Sequence, residues 1–537
     1  MAKSRIKRGS RVYVYERENY RDEFGKVKHR NTRYSGIEVT ENGKTHIIPP
    51  KRRFMDFDVV ESVRYGDISV LYNIFKRYGI IDLLDELVPR RGLPVGDVLV
   101  SLAINHIIDR ETLNMFYKWY QDTALEGFTK IPVKKMNPTN LCVVMKTFSK
   151  LGVEGLVDVC IKLFDKVKYL ESGSTSLFYD ITSTYFYARK LPKARQGHNR
   201  DENSLPQINI SLAATKNKGL PIFFRTYEGN ITDVNTIHQL IFDVKRINFD
   251  IDVIILDRGM SSKKNLLDLA GSQLKIVGGI PLTSNEAKTL VECKISEKNE
   301  LVRASGLVYY EDVPTSLFGI KGRGIVCFNH SDLERERSTR LKKIMVAEKG
   351  IDKLLHSKES YGKSSDYLER EAKMIIYGVS DYFIVKNKEG KVNVTPNVDN
   401  RRRARRRDGK CLIFTTDFEK DASEIISLYF GKDVIEKIFN CIKNWLDLQP
   451  VRHFDEGIVD VYVFICYLAY LGLALYKHHL GSTGWEGVQE SLNELGRIRK
   501  TTLVFGEKKI DKVNVLTKEQ KDIFKKLGFE DKLIQGL

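Results

Sequence analysis

The stretch DVIILDRGM occupies residues 252–260 and joins an apolar run to an acid, a base and a glycine. The run at residues 253–256 has the composition of a buried β-strand. A carboxylate at the end of such a strand is unfavourable unless an opposite charge or hydrogen bonds compensate it. The stretch therefore predicts a buried strand that ends at a functional residue, Asp257.

The overall composition favours a globular protein with a polyanionic partner. The chain has 537 residues, of which 42% are hydrophobic, and 88 Lys and Arg against 70 Asp and Glu give a net charge of +18. The hydrophobic fraction argues against a disordered chain. The positive charge favours nucleic acid over an anionic membrane surface, although charge alone does not separate the two.

Cysteine usage and the apolar segments bear on the compartment. The seven cysteines are scattered, odd in number and without a C-x-x-C pair, which argues against disulfides or a zinc site and favours a cytoplasmic location. The basic N-terminus lacks the apolar region of a secretory signal. Residues 461–476 form an apolar run of 16 residues with four tyrosines. This run is short for a membrane span, so we predict a helix buried inside a large domain.

Periodicity divides the chain into six segments. Strands alternate with helices after residue 171, which predicts an α/β fold with a mixed sheet. We predict, in order, a basic N-terminal segment with short strands (1–60), a helical domain that would bind DNA (61–170), the first part of a catalytic core (171–282), a mainly β insertion (283–410), the second part of the core (411–480) and a helical C-terminal tail (481–537).

An arginine run closes the predicted insertion. Six of the seven residues at 401–407 are arginine. Such a run is commonly a solvated loop, and beside a catalytic centre it could instead hold a DNA backbone. The sequence leaves both interpretations open.

Two acids lie within or at the end of predicted core strands. Asp180 interrupts the strand FYDITSTYF, and Asp257 ends the strand quoted above. Either one alone is commonly an ordinary strand-end residue. Two on one sheet predict a counter-charge, and Mg²⁺ is a hard cation that prefers carboxylate oxygens. Two such ions can promote phosphodiester cleavage.

A third acid lies in a segment with helical periodicity. In YFGKDVIEKIFNCIK, residues 429–443, the side chains of Tyr429, Lys432, Glu436 and Lys443 fall within an arc of roughly 60° on a continuous helix. We predict that this helix extends over about residues 422–446. An amphipathic helix with surface charges would show the same spacing.

These motifs together resemble those of DDE insertion-sequence transposases. The four residues match the family's Y-x2-R-x3-E-x6-K signature, with Lys432 in place of arginine, which keeps the charge but loses the two-pronged guanidinium. FYDITSTYF resembles the strand of the first aspartate, and ILDRGMSSKKNL, with Asn265, that of the second. GLPIFFRTYEGNITDVNT resembles the segment between them, with Gly229, Asn230 and Asp233.

The resemblance implies an RNase H-like catalytic core with a largely β insertion before the glutamate. It implies that Asp180, Asp257 and Glu436 are catalytic and bind two Mg²⁺ ions, or Mn²⁺ as a substitute. DNA phosphates would be held by Tyr429, Lys432, Lys443 and Arg258. The expected reaction is hydrolysis at the element ends followed by strand transfer from a 3′-hydroxyl. The expected assembly is a homodimer on double-stranded DNA, with no membrane partner.

Other functions remain open on the sequence. A catalytically silent DNA-binding descendant of a transposase would be expected to lack one of the acids, and all three are present. A metal-dependent nuclease without strand transfer would use the same carboxylates. Trp445 has two interpretations, a core residue or a platform for an unpaired base.

Overall fold

The computed structural model groups the chain into two compact units. One comprises residues 1–62 and 501–512, and the other residues 63–500 and 513–537. The predicted division into six segments stays a prediction beside this grouping. The residues that the structure describes are 2–23, 25–41, 44–50, 58–88, 92–173, 175–186, 191–197, 205–231, 236–303, 306–357, 361–388, 390–449, 451, 453–482, 484–505 and 508–529.

The N-terminal residues form a four-stranded antiparallel sheet in sequential order. The longest strand has 15 residues, so the strands are longer than the sequence analysis predicted. Two register shifts in the second strand pair accommodate this length. The strands of this segment are β1 (Ala2–Arg8), β2 (Arg11–Arg21), β3 (Val27–Glu41), β4 (Lys44–Ile48) and a fifth strand outside this sheet, β5 (Asp58–Arg64).

The described residues of the segment predicted to be helical form seven α-helices. The helix that begins at Pro138 has a start that its sequence encodes: the Asn137 side chain accepts the backbone N–H of Asn140, and Pro138 takes the first helical position, where no N–H is needed. The helices are α1 (Gly66–Arg77), α2 (Ile80–Glu86), α3 (Val95–Ile108), α4 (Leu113–Gln121), α5 (Leu125–Thr129), α6 (Pro138–Phe148) and α7 (Gly152–Val167).

The next segment forms the centre of a nine-stranded mixed sheet. The quoted strand is β9, and the neighbouring order is β8-β7-β6-β9-β10. The first three strands pair antiparallel, whereas β9 and β10 run parallel to β6. This topology is the RNase H-like core, as predicted. The elements are β6 (Thr175–Tyr185), β7 (Gln207–Thr215), β8 (Pro221–Glu228), α8 (Ile237–Val244), β9 (Ile251–Leu256), α9 (Lys263–Gly271) and β10 (Lys275–Ile280).

The insertion contains more helix than the sequence analysis predicted. Three of its strands extend the central sheet, and two others form a separate hairpin. The arginine run is helical because Asn397 caps its N-terminus and arginine is a good helix former. The elements are α10 (Asn285–Val291), β11 (Glu300–Arg303), β12 (Gly306–Leu317), β13 (Ile320–Asn329), α11 (His330–His356), α12 (Ser365–Ile375), β14 (Phe383–Lys388), β15 (Lys391–Pro396) and α13 (Val398–Arg407).

After the insertion the chain returns to the sheet as β16 (Lys410–Thr415), which pairs antiparallel with both β10 and β13. The single helix predicted over residues 422–446 is wrong. It is divided into α14 (Ala422–Phe430), α15 (Asp433–Asn440) and a π-helical turn, Cys441–Trp445. Gly431 lies at the first break, where glycine weakens helix continuation.

The long apolar segment is a core helix, α16 (Glu456–Leu480). Within the described chain it is the one helix with the length and composition to cross a membrane, and 89% of its apolar window is buried inside the protein. It packs against α1, α3, α6 and β8. The apolar surface of α16 is thus covered by the protein's own core.

The C-terminal segment was predicted to be helical, and it also contains strands. Two of them form a three-stranded sheet with β5, in the order β18-β17-β5. The run TTLVF at residues 501–505, rich in β-branched and aromatic side chains, is typical of a strand and was missed. The elements are α17 (Trp485–Gly496), β17 (Arg499–Phe505), β18 (Lys508–Val513) and α18 (Lys518–Lys526).

Candidate active site

Strand register brings the two predicted aspartates together. In the parallel pair of β6 and β9, Tyr179 lies opposite Leu256. Asp180 follows Tyr179 and Asp257 follows Leu256, so the two aspartates lie side by side where β9 ends. Asp180 is half-buried, and its Oδ1 accepts the backbone N–H of Ile181 at 2.7 Å. Asp257 directly follows Leu256, the last residue of β9.

A short 3₁₀ turn, Arg258–Met260, follows Asp257 and leads into α9. Asn265 is buried, and its side-chain amide donates to the Met260 carbonyl at 2.8 Å. The Ser262 side chain caps α9 by accepting the backbone N–H of Asn265. Asn265, part of the family-like motif, thus fixes the turn behind Asp257 and does not face the acids.

The third predicted acid joins the same cleft. Helix α15 packs against β6 and directs Glu436 toward the strand ends. A small cleft of about 30 Å³ is lined by all three acids and by Lys432; its lining residues are Phe178, Tyr179, Asp180, Ile255, Leu256, Asp257, Lys432, Ile435 and Glu436. The structure therefore brings Asp180, Asp257 and Glu436 to one cleft, although the helix that was used to predict the glutamate is broken.

Lys432 forms an ion pair with Asp257. Burial raises the pKa of Asp257, but the hydrogen bond and the charge of Lys432 outweigh it, so this pKa lies below its ordinary value. Burial lowers the pKa of Lys432, and the neighbouring Tyr429 and Asp257 more than reverse this, so the pKa is raised. Both groups are therefore ionised at neutral pH, and the cleft holds a fixed cation beside its acids.

Tyr429 supports this lysine from the end of α14. The Lys432 ammonium lies 5.3 Å from the centre of the Tyr429 ring, a cation–π distance. Tyr429 is buried, which raises the pKa of its hydroxyl. Its ring packs on the backbone of Gly279 in β10, where a Cβ atom would lie 2.6 Å from Cζ of the ring. The sequence analysis did not identify Gly279, although the Gly-Gly pair within an apolar strand was the available signal.

The remaining predicted phosphate-binding residues lie outside the small cleft. Within the described part of the chain, neither Lys443 nor Arg258 lines it. Lys443 is half-buried in the π-helical turn. Arg258 is exposed and lines a larger neighbouring groove.

The family-like segment between the aspartates is held by β7. Gly229 approaches this strand so closely that a Cβ atom would overlap the backbone at Gln207. The Gly229 carbonyl accepts the side-chain amides of Gln207, at 3.2 Å, and Asn209, at 3.4 Å. Asn230 is exposed. Asp233 lies outside the described residues.

Trp445 is anchored within the fold. Its indole N–H donates to the Ile107 carbonyl at 2.9 Å, and its ring makes an edge contact with Trp485. These contacts favour the structural interpretation over a base-stacking role.

The donor chemistry of the cleft fits a divalent metal ion. Among the described residues, no three His, Cys, Asp or Glu side chains are placed closely enough to hold a metal as they stand. However, the cleft offers carboxylate oxygens, which Mg²⁺ and Mn²⁺ prefer, and no competing thiolate or imidazole. The Lys432 ammonium already occupies one cation position on Asp257.

The chain is similar to known DNA transposases in sequence. Residues 174–471 match the family described as Transposase DDE domain. No curated protein matches the chain. Among solved structures, a cryo-EM structure of a piggyBac transposase synaptic complex with hairpin DNA matches with 11% identity and a TM-score of 0.39, over 80% of this chain and 79% of that chain. That TM-score is too low to bear on the fold, which rests on the strand order itself.

Proposed function

The chain belongs to the family of transposase DDE domains, and from this premise we propose that it cleaves the ends of an insertion sequence and joins them to target DNA. The observation that carries the proposal is the single cleft that Asp180, Asp257 and Glu436 line together with Lys432. A group of acids around one cation suits reactions at a phosphodiester, where negative charge must be balanced as it develops.

We propose that the three acids hold two Mg²⁺ ions, with Mn²⁺ as a substitute. Such ions supply charge neutralisation at phosphate oxygens and lower the pKa of bound water. The chain's own residues bind and orient the DNA. Lys432 would contact a phosphate at the cleft, supported by the Tyr429 ring, while Arg258 and Lys443 would bind phosphates farther along the strand.

The partners follow from this chemistry. The substrate would be double-stranded DNA, both as element ends and as target, which agrees with the net charge of +18. Two ends must be joined together, so we propose a homodimer in a synaptic complex, located in the cytoplasm on the nucleoid. A membrane partner is not proposed.

An excision assay tests the proposal. A plasmid carries a marker between the native flanks of the gene, and the protein is supplied in trans. We expect Asp180→Asn, Asp257→Asn and Glu436→Gln each to reduce excision by at least about 10³-fold, the scale on which lost catalytic electrostatics acts. Asp433→Asn is the matched control, because Asp433 is an exposed carboxylate on α15 that pairs only at the surface, with Lys437.

The outcomes separate the candidate functions. Excision by the wild type and by Asp433→Asn, with none by the three cleft variants at equal protein level, supports the proposal. Equal excision by all variants contradicts the site. DNA-end cleavage without joining to a target indicates a nuclease. Binding of the ends without any cleavage indicates a silent DNA-binding protein.

A further inference from the structure

A second and much larger groove begins beside the acidic cleft. It has a volume of about 1170 Å³ and is lined by seven basic and four acidic side chains among the described residues. Its floor includes the end of β10 and the start of β16, and one wall is the arginine helix α13. We call it the basic groove. None of the roles proposed above uses this volume beyond Arg258.

Two of the four acids in the basic groove are paired with arginines. Asp408 accepts hydrogen bonds from both Arg337 and Arg340. Glu292 lies 3.9 Å from the Arg407 side chain. A third acid, Glu336, accepts the backbone N–H of Gly409 at 2.9 Å, which leaves its charge in place. The two ion pairs reduce the negative potential that would otherwise repel an anion.

Five of the seven basic side chains that line the groove have no carboxylate at ion-pair distance among the described residues, and two of these five lie on the arginine helix. Arg403 and Arg406 line the groove and are exposed, and neither has a carboxylate at ion-pair distance among the described residues. Residues three apart lie on one helix face, so the two guanidinium groups point into the same space. A guanidinium matches the geometry of phosphate oxygens and carries its charge at all relevant pH values.

The arginine helix is fixed rigidly enough to hold these groups in place. Ala404, a residue of this helix, is buried, and Asn397 caps the N-terminus of the helix. Arg401 pairs with Glu348 at 2.9 Å and donates to the Tyr382 carbonyl. Arg403 and Arg406 are therefore presented by an ordered helix and not by a loop, which limits the entropy lost when a ligand binds.

The basic groove and the acidic cleft have lining residues that are adjacent in sequence. Asp257 lines the cleft, and Arg258, the next residue, lines the groove. The positive charge of Arg258 is close enough to Asp257 to contribute to the lowered pKa of that carboxyl. The groove therefore lies next to the acids, on the side of the cleft that Arg258 faces.

We infer that the basic groove binds the phosphodiester backbone of the DNA strand that leads to the scissile bond. This inference rests on the proposed function and assigns it a substrate subsite. Guanidinium groups on this surface would bind phosphate oxygens and not base edges, so binding in the groove would not depend on the DNA sequence. The helix thereby sets the path of the strand on the insertion side of the cleft.

Salt-dependent DNA binding tests the inference. The variant Arg403→Ala/Arg406→Ala is compared with Arg402→Ala/Arg405→Ala, in which the same helix loses the same charge from exposed residues that do not line the groove. Binding of duplex and single-stranded oligonucleotides is measured by fluorescence anisotropy over a range of KCl concentrations, without divalent metal. Alanine maintains the helix in both variants.

The groove variant is expected to lose two phosphate contacts. The slope of log K against log salt should fall by about 1.8 for a duplex or about 1.4 for a single strand, which is roughly a 25- to 60-fold loss of affinity at 0.1 M KCl. The control variant should keep the wild-type slope. The probe that shows the loss identifies whether paired or unpaired DNA lies in the groove.

An equal slope for both variants, or no DNA affinity in the wild type, would overturn the inference. This result is distinguishable from failure of the proposed function, since the binding assay needs no catalysis. If the wild type excises DNA and the two variants bind DNA alike, the groove inference is contradicted and the proposed transposase function stands. If the groove variant alone loses slope but the wild type excises nothing, the groove inference stands and the proposed transposase function is contradicted.

Discussion

The pairing of Lys432 with Asp257 determines how the cleft behaves before any metal or DNA is bound. The lysine keeps the aspartate ionised and lies where an added cation would carry like charge. It also lies on the Tyr429 ring, which limits its movement. One side chain is therefore expected to oppose metal binding and to favour DNA binding.

Substitution of Lys432 should separate these two effects. Lys432→Met removes a positive charge that repels a metal cation in the cleft. At this half-exposed site the repulsion is about 1 kcal/mol, so Mn²⁺ should bind roughly fivefold more tightly to the variant. The same variant should excise at least tenfold less, because a phosphate contact is lost. Electron paramagnetic resonance of free Mn²⁺ and the excision assay provide the two measurements. Lys432→Arg is the control and should change metal affinity little; weaker Mn²⁺ binding by Lys432→Met would refute the argument.

Gly279 should be required to accommodate the ring of Tyr429. A Cβ atom at this position would overlap the phenol, with ring Cζ at 2.6 Å, so Gly279→Ala should destabilise the protein by about 1–3 kcal/mol through overpacking. Denaturant unfolding measures this cost. In a Tyr429→Ala background the cost should fall by at least half, because the overlapping atoms are gone. An unchanged cost in that background would show that the ring is not the obstacle.

At the scale of elements, the sequence predicted what depends on local pattern. The strands that carry Asp180 and Asp257 are confirmed, since each has its own periodicity and boundary residues. The meeting of these acids with Glu436 followed from the family resemblance and not from spacing. The break at Gly431 escaped prediction because apolar periodicity continues across it.

The arginine helix of the insertion escaped prediction for a different reason. Helix α13 has almost no apolar face, with Ala404 as its one buried residue. Besides the Asn397 cap and the helix propensity of arginine, tertiary contacts hold it in place, among them those of the buried Asp408 at its C-terminal end with arginines on α11. Such contacts join residues about seventy positions apart, and no local pattern reports them.

The Asp408 contacts give a prediction for the arginine helix. Asp408→Asn should destabilise the protein by about 2–3 kcal/mol, because it leaves the nearly buried Arg340 without its anionic partner. Thermal unfolding of wild type and variant measures the difference. Asp399→Asn, at the opposite end of the same helix and exposed, is the control and should change stability by less than about 0.5 kcal/mol.

The pH dependence of this difference has a defined sign. Burial raises the pKa of Asp408, but the hydrogen bonds and charges of Arg340 and Arg337 outweigh it, so the pKa lies below its ordinary value. The stabilisation is therefore present above the unfolded pKa of about 3.9 and is lost as the pH falls through the folded value. The difference in free energy of unfolding between wild type and Asp408→Asn should stay constant from pH 7 to 5 and decrease only below about pH 4. Narrowing near pH 6 would contradict the lowered pKa.

At the scale of the whole molecule, the larger unit has one continuous hydrophobic core. Buried residues from the N-terminal helices, the central sheet and α16 belong to the same cluster. A second, small cluster lies within the insertion, between α11, α12 and β14. The helical segment and the catalytic sheet therefore share a core, and we expect them to unfold together.

A buried ionic cluster joins these two parts and allows this expectation to be tested. Arg225 on β8 is buried and binds both the fully buried Asp243 of α8 and Glu154 of α7, the latter at 2.6 Å. Sequence periodicity does not predict these partners, which come from two other elements, α8 and α7. Loss of Asp243 leaves the buried Arg225 with the largely exposed Glu154 as its remaining carboxylate partner, and the loss of a buried counter-charge is strongly destabilising.

Asp243→Asn should lower the free energy of unfolding by about 3–5 kcal/mol and affect both parts of the unit at once. Hydrogen exchange should show faster global exchange in α7 and in β8 to the same extent, because the two belong to one cooperative core. Asp158→Asn is the matched control: Asp158 pairs with Arg246 in the same neighbourhood but is 55% exposed, so its loss should cost less than about 1 kcal/mol. If exchange accelerated in α7 alone, the helical segment would be an independent folding unit, and the shared core would not be what holds the catalytic sheet in place.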